Sequence, residues 1–297
     1  MGKIENLYLH HYKRLLLIPL ILFIISLGII YYNYSTTGDF IKKNVALQGG
    51  ITITITSDQI FDVDKIHNDI QAQFPTSDIS VRQLTDFSTN KKIGVTIDMS
   101  NVKANEVSDQ VSKILGIPFT EKNYSVEEIG SSLGASFFLE MIYAVIFSLL
   151  FMAITVWITF RKFIPSVAVI ASIILELVVT IAILDLIGHR ISPAGIAALL
   201  MVMGYSIDTD ILLTTRVLKR DTGTLWQRIV SATKTGITMT STTLCVSILM
   251  LLTPSAVLRE IFTIILIALI VDMISTWVMN SSLLIWYLDK HKQHENK

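Results

Sequence analysis

Cys245 is the only cysteine in 297 residues, so the chain can form no intrachain disulfide and no multi-cysteine zinc cluster. Only 16% of its residues are charged, and 24 basic side chains balance 24 acidic ones. That balance gives no electrostatic footprint for nucleic acid or another polyanion. There is no Walker A pattern, no GxGxxG and no HExxH, so the usual supports for nucleotide or zinc chemistry are missing. Neither a cofactor, a bound metal nor an enzymatic activity is expected.

What the sequence has in quantity is apolar residues, 52% of the total, blocked into long runs. The first, residues 15–32, follows Lys13 and Arg14 and has the charge flank of a signal peptide. Eighteen helical residues would span about 27 Å, close to a hydrocarbon thickness. Tyr31, Tyr32 and Tyr34 then read as an interfacial belt, so the run is expected to be an uncleaved first span. Five more runs follow a long gap, at residues 137–160, 165–187, 191–213, 236–252 and 261–288. The expected fold class is an α-helical integral membrane protein with six transmembrane helices, one before the gap and five after it.

Lysine and arginine in the short connections set the orientation. One side collects Lys3, Lys13, Arg14, Arg161, Lys162, Arg216, Lys219, Arg220, Arg228, Lys234, Lys290, Lys292 and Lys297, whereas the other offers only Arg190 and Arg259. Both termini are therefore expected in the cytoplasm. The expected domains are 1–32, the N-terminus and first transmembrane helix; 33–134, an extracytoplasmic α+β domain; 135–288, transmembrane helices 2 to 6; and 289–297, a cytoplasmic tail.

The segment 33–134 carries soluble periodicities. Ile51, Ile53 and Ile55 alternate with threonines, and Ile93, Val95, Ile97 and Met99 also recur at period two, the mark of half-buried strands. Ile66, Ile70 and Phe74, then Val107, Val111 and Leu115, recur at helical spacing. With further strands near residues 79–84 and 123–129, the order is strand, helix, strand, strand, helix, strand: the split βαβ, ferredoxin-like pattern. Its one histidine, His67, has no partner ligand in view.

The functional signal lies in the helices. Asp208 and Asp210 fall within the run 191–213, and Glu140, Glu176, Asp185 and Asp272 lie in or beside other runs, with no lysine or arginine well inside to neutralise them. A carboxylate near the bilayer centre costs about 2.5–3.5 kcal/mol even on lenient insertion scales, so each needs a partner or a use. Desolvation and like-charge proximity both disfavour ionisation, a setting in which carboxyls relay protons. The i, i+2 spacing sets Asp208 and Asp210 about 200° apart on an ideal helix, so they share a partner only if the helix breaks, for which Gly204 is the expected place. The expected ion pathway uses Asp208 and Asp210, with Glu176, Asp272, Arg216, Lys234 and Thr240 as candidate network members. The plainer alternative makes one aspartate interhelical glue and lets the other lean toward Arg216. Thr238, Thr240, Ser241, Thr242, Thr243 and Ser247 make the fifth run hydroxyl-rich, through close helix packing or a water-lined path.

Taken together, these features resemble the SecF family, the smaller membrane subunit of the SecD/SecF accessory of the Sec translocase, in its archaeal form. Leu47-Gln48-Gly49-Gly50 resembles the family's double-glycine motif, and Gly204-Tyr205-Ser206-Ile207 resembles the opening of its fourth-span motif. The resemblance implies a six-helix half that pairs with SecD in the cell membrane. It also implies work beside the Sec protein-conducting channel on translocating unfolded polypeptide, driven by the proton-motive force. The bacterial motif places its aspartate at the position of Thr209 and another at the position of Thr215, just before Arg216. An arginine-threonine pair at the head of the fifth span stands here as Lys234-Thr235, which keeps the charge but loses the bidentate fork. Two other functions fit the same layout: a non-transducing scaffold subunit of the translocon, and one half of a small-molecule transporter of the RND type.

Overall fold

A computed structural model describes residues 5, 8, 11–57, 59, 61–86, 89, 91–100, 102, 104–120, 123–219 and 223–295. Lys3, Arg220 and Lys297 of the orientation argument lie outside them. The apolar runs become helices that overshoot into their polar flanks, because intrahelical hydrogen bonds continue until a capping residue or a left-handed turn interrupts them. A short α1 (Tyr12–Leu15) precedes α2 (Leu17–Thr37), which stops at Gly38 with φ +79°. A one-turn α3 (Val45–Gln48) then leads into β1 (Gly50–Thr56), α4 (Val63–Gln73), β2 (Ile79–Thr85), β3 (Lys92–Ser100), α5 (Ala104–Leu115) and β4 (Tyr124–Ile129). The long helices resume with α6 (Ser131–Phe160), α7 (Phe163–Leu186), α8 (Pro193–Lys219), α9 (Leu225–Met250) and α10 (Ala256–Ile274). A π-helical turn (Ser275–Asn280) carries α10 into α11 (Ser281–Glu295).

Five stretches are long and apolar enough to cross a membrane: Tyr12–Thr37, Ser131–Phe160, Phe163–Leu186, Pro193–Lys219 and Ala256–Lys290. Helix α9 has 26 residues, but its threonines and serines lower its hydropathy below theirs. It starts at a capping box, Thr224 accepting from the Gln227 N–H while the Gln227 side chain accepts from the Thr224 N–H. Helices α2 and α6 leave most apolar side chains uncovered, whereas α7, α8 and α10 bury theirs against one another.

The four strands form one antiparallel sheet in the order β2-β3-β1-β4. Ile51, Ile53, Ile55, Val95, Ile97 and Met99 point to one face, where Ile66 and Ile70 of α4 and Val107 and Val111 of α5 cover them completely. The period-two and helical patterns thus meet in one small core. On the opposite face Asp98 accepts from Thr52 at 2.8 Å and pairs with Arg82 at 2.5 Å.

The sheet domain is seated on the helices. Leu47 of α3 is 1% exposed and shares an apolar cluster with Leu184, Ile191 and Ile264. The Asn44 N–H donates to the Ile191 carbonyl at 3.0 Å, and the Ile191 N–H donates to the Lys42 carbonyl at 2.8 Å. Arg190 pairs with Asp78 and donates to the Ile79 carbonyl.

No break occurs at Gly204: α8 runs unbroken past it. Regular α-helical bonding gives way instead at the π turn, whose Trp277 ring lies against Gly236 of α9. A Cβ added at Gly236 would stand 2.2 Å from Trp277 Cζ2. Gly236→Ala is therefore expected to push α9 off the turn and cost about 1–3 kcal/mol, read as a lower unfolding midpoint in detergent. An unchanged midpoint would mean that the two elements move apart freely.

Candidate functional site

Three helices each carry polar residues at i, i+4 and i+8, which on a helix fall on one face. Helix α7 has Ser172, Glu176 and Thr180, α8 has Ser206, Asp210 and Thr214, and α10 with the π turn has Asp272, Thr276 and Asn280. All nine are at most 1% exposed, and each stripe carries one acid. The stripes of α8 and α10 are bonded directly. Ser206 Oγ donates to Asp272 Oδ1 at 2.6 Å, Thr209 Oγ1 lies 3.4 Å from Asp272 Oδ2, and Thr276 Oγ1 lies 2.9 Å from both Asp210 Oδ1 and Asp272 Oδ1. Asn280 Nδ2 donates to Asp210 Oδ1 at 2.8 Å.

Helix α7 closes the third side. Glu176 faces Asp272, Asp210 and Ser206, and Ser172 faces Asp210. Among the described residues, both Glu176 oxygens, Asp210 Oδ2, Ser172 Oγ and Asn280 Oδ1 are buried without a hydrogen bond of normal geometry. Carboxylates held among hydroxyl and amide donors, with oxygens left over and no cation beside them, can take up and give back a proton or another small cation. Among the described residues no group of His, Cys, Asp and Glu is arranged to hold a metal ion.

The remaining residues singled out from sequence lie elsewhere. Asp208 is exposed, on an uncovered stripe of α8 with Ala197, Met201 and Gly204, on the other side of the helix from Asp210. Arg216 Nη1 donates to the backbone carbonyl and, at 2.7 Å, to the hydroxyl of Ser231, which ties α8 to α9. Lys234 is exposed in a shallow cleft with Trp226 and Thr235. Thr240 is fully buried, with no hydrogen-bond partner for its hydroxyl. Most other α9 hydroxyls return to their own helix, as Thr238 does to the Lys234 carbonyl and Ser247 to the Thr243 carbonyl, each at 2.8 Å. Ser172, Thr276 and Asn280 were missed in the sequence, and Ser206 was noted only as part of a motif, although spacings of four or eight residues from an acid were the signal.

Apolar helices around a buried acidic seam, with a sheet domain inserted after the first of them, make this a multi-pass membrane protein. The sequence matches the family described as Protein export membrane protein SecD/SecF, C-terminal, over residues 111–290. It is 33% identical to the protein-export membrane protein SecF of Methanocaldococcus jannaschii, covering 95% of this chain and 97% of that one. It is also 33% identical to the SecF of Pyrococcus furiosus, over 95% and 93% of the two chains. The chain therefore belongs to the SecF family of protein-export membrane proteins, which are membrane subunits and not enzymes.

In fold it is similar to SecDF, a translocon-associated membrane protein from Thermus thermophilus, with a TM-score of 0.75 at 17% identity. The chain aligns over 94% of its own length but spans 38% of that chain. Against SecDF in its super-membrane-facing form the TM-score is 0.65 at 19% identity, over 97% of this chain and 39% of the other.

Proposed function

We propose that the chain works with SecD to draw polypeptide out of the Sec channel, using the proton-motive force through Asp210, Asp272 and Glu176. The observation that carries this reading is the seam itself: three buried acids from three helices, two of them bonded by hydroxyls and an amide and the third, Glu176, facing them, with no basic partner among the described residues. Moving one charge through 100 mV supplies about 2.3 kcal/mol, enough to rearrange helices held by such bonds.

In this reading α9 is the sixth spanning helix, being as long as its neighbours and packed between α10 and α8. The sheet domain is ferredoxin-like, supported by its βαββαβ order and its antiparallel β2-β3-β1-β4 arrangement. It faces outward as residues 33–134, with both termini in the cytoplasm, as the positive residues of the short connections favour.

Solved SecDF chains are more than twice as long as the part matched here, and the uncovered stripe of Ala197, Met201, Gly204 and Asp208 is the surface we assign to SecD. A carboxylate at that depth needs a covering partner. Asp208→Leu is expected to lower the SecD recovered with the chain several-fold while the chain still inserts; full recovery would separate the stripe from the partner.

The test of function is export of a secreted polypeptide by vesicles containing this chain, SecD and the Sec channel. Stimulation that grows with an imposed potential supports ion coupling. Stimulation indifferent to potential would leave the chain a scaffold.

A further inference from the structure

Strand β2 is an edge strand whose outer side is left open beside a cleft of about 550 Å³. The register shows which backbone groups face that side. Ser100 N donates to the Asp78 carbonyl at 3.1 Å, and pairing then runs from Ile79↔Met99 to Leu84↔Gly94. Hydrogen-bonded and non-hydrogen-bonded pairs alternate in an antiparallel ladder, so Asp78, Ser80, Arg82 and Leu84 bond to β3. Ile79, Val81 and Gln83 therefore turn their N–H and C=O groups outward. Arg190 agrees with this phase, since its guanidinium reaches the Ile79 carbonyl from outside the sheet at 2.8 Å.

Beyond this Arg190 contact at Ile79, the usual protections of an edge are missing here. Within Ile79–Leu84 there is no proline, lysine or irregularity of register, the first shift falling between Leu84 and Thr85. Its one charge, Arg82, is held back over β3 by Asp98. The other edge differs. By the same reasoning from Thr56 N to the Asn123 carbonyl, β4 turns Tyr124, Val126 and Glu128 outward, and its exposed Glu127 and Glu128 charge that edge.

We propose that the cleft along β2 binds an extended polypeptide segment, which adds to the sheet as a further strand through the main-chain groups of Val81 and Gln83. The cleft walls support a main-chain ligand rather than an anion. Arg82, Arg190 and Arg259 are matched there by Asp64, Asp98 and Glu260, so no single sign of charge is selected. Strand addition takes its affinity from the backbone and tolerates varied side chains, as a site for many export substrates requires. The segment would lie between the sheet and the helix ends, within reach of the loop that joins α7 to the helix carrying Asp210. The proposal rests on the export reading for the source of the segment, not for the binding itself.

Binding can be read without SecD, the channel or a potential. The full chain in lipid vesicles is mixed with a short, unstructured Val/Thr/Ser peptide bearing a central benzophenone, and cross-linked residues are mapped. Cross-links are expected at β2 and the facing loop. Val81→Pro removes an outward N–H without touching the β3 ladder and is expected to reduce capture about tenfold or more. Val126→Pro, its counterpart on β4, is expected to leave capture unchanged. Independently of either variant, amide hydrogen exchange at Val81 and Gln83 should slow when peptide is added, while exchange at Val126 does not.

Persistence of cross-linking in a folded Val81→Pro chain would overturn the proposal. So would slowing at β4 alone, cross-links that join two copies of the chain through β2, or cross-links only to lipid-facing helices. Loss of potential-driven export with peptide binding intact would count against the ion-coupling reading and leave this one standing.

Discussion

Asp210→Asn is expected to erase the response of export to membrane potential while leaving the protein folded, inserted and assembled. The geometry separates these effects. Asp210 Oδ1 accepts from Thr276 at 2.9 Å and from Asn280 at 2.8 Å, and the Asn oxygen can accept both. The new amide nitrogen would point toward Ser172, whose hydroxyl can receive it. Shape and hydrogen bonds survive, and only the ability to gain and lose a charge is removed. One charge crossing 100 mV is worth about 2.3 kcal/mol, a factor of about 50 in an equilibrium, which sets the scale of stimulation that disappears. The measurement is the rate of export by vesicles at zero and at imposed potential, beside the amount of chain and SecD recovered. A rate that still rises with potential in the Asn variant would exclude Asp210 as the coupling group.

The partner acids sharpen the same experiment. Groups that act as one unit give grossly non-additive losses. Asp272→Asn in the Asp210→Asn background is therefore expected to add little, because Thr276 bonds both carboxylates and joins them into one site. Independent losses that multiply would mean two sites. Asp210→Ala makes the structural contrast: Thr276 can still donate to Asp272, but the Asn280 amide is left buried without its acceptor, so the unfolding midpoint should fall as well as the coupling.

Much of this architecture is readable in the chain, because a bilayer forces apolar residues into blocks and a small sheet forces its isoleucines to alternate. The site was harder to read. The spacing of Asp208 and Asp210 states that they point apart, but not which of them points inward. That depends on what covers α8, and the answer is a three-helix contact that no local pattern encodes. The number of hydroxyls drew attention to α9, yet those groups mostly bond back to their own helix. The network groups are sparser: one acid per helix with small polar residues four positions away. The π turn was also hidden, since Ser275–Asn280 has the composition of an ordinary helix, and it is there that Trp277 packs against α9. Like many π turns, it lies at the polar cluster, where it carries Thr276 and Asn280 to Asp210.

A second large effect is expected where the sheet domain joins the helices. Gly49 has φ +87°, and a Cβ there would stand 2.4 Å from the Ser131 Cα and 2.7 Å from the Ser131 N. The reciprocal contact is as tight, since a Cβ on Gly134 would lie 2.8 Å from the Gly49 N. Two stretches of backbone, one leading into the sheet domain and one leading out, therefore cross without room for a methyl group. Rotamer changes cannot relieve a clash against backbone. At φ +87° and ψ 151° Gly49 occupies backbone space open essentially to glycine, so Gly49→Ala adds strain of about 1–3 kcal/mol to overpacking of about 1–3 kcal/mol, and a local loss of about 3 kcal/mol or more is expected. The crossing should open: α3 would lift from α6, and Leu47 would leave the apolar cluster it shares with Leu184 and Ile191. Limited proteolysis of the chain in vesicles should then cut near residues 38–50, whereas the parent chain resists. Export should fall with the seam acids intact, because in the proposed coupling movement at Asp210 reaches the sheet domain through these joints. A protease-resistant Gly49→Ala chain with normal export would show that the crossing is not part of the transmission.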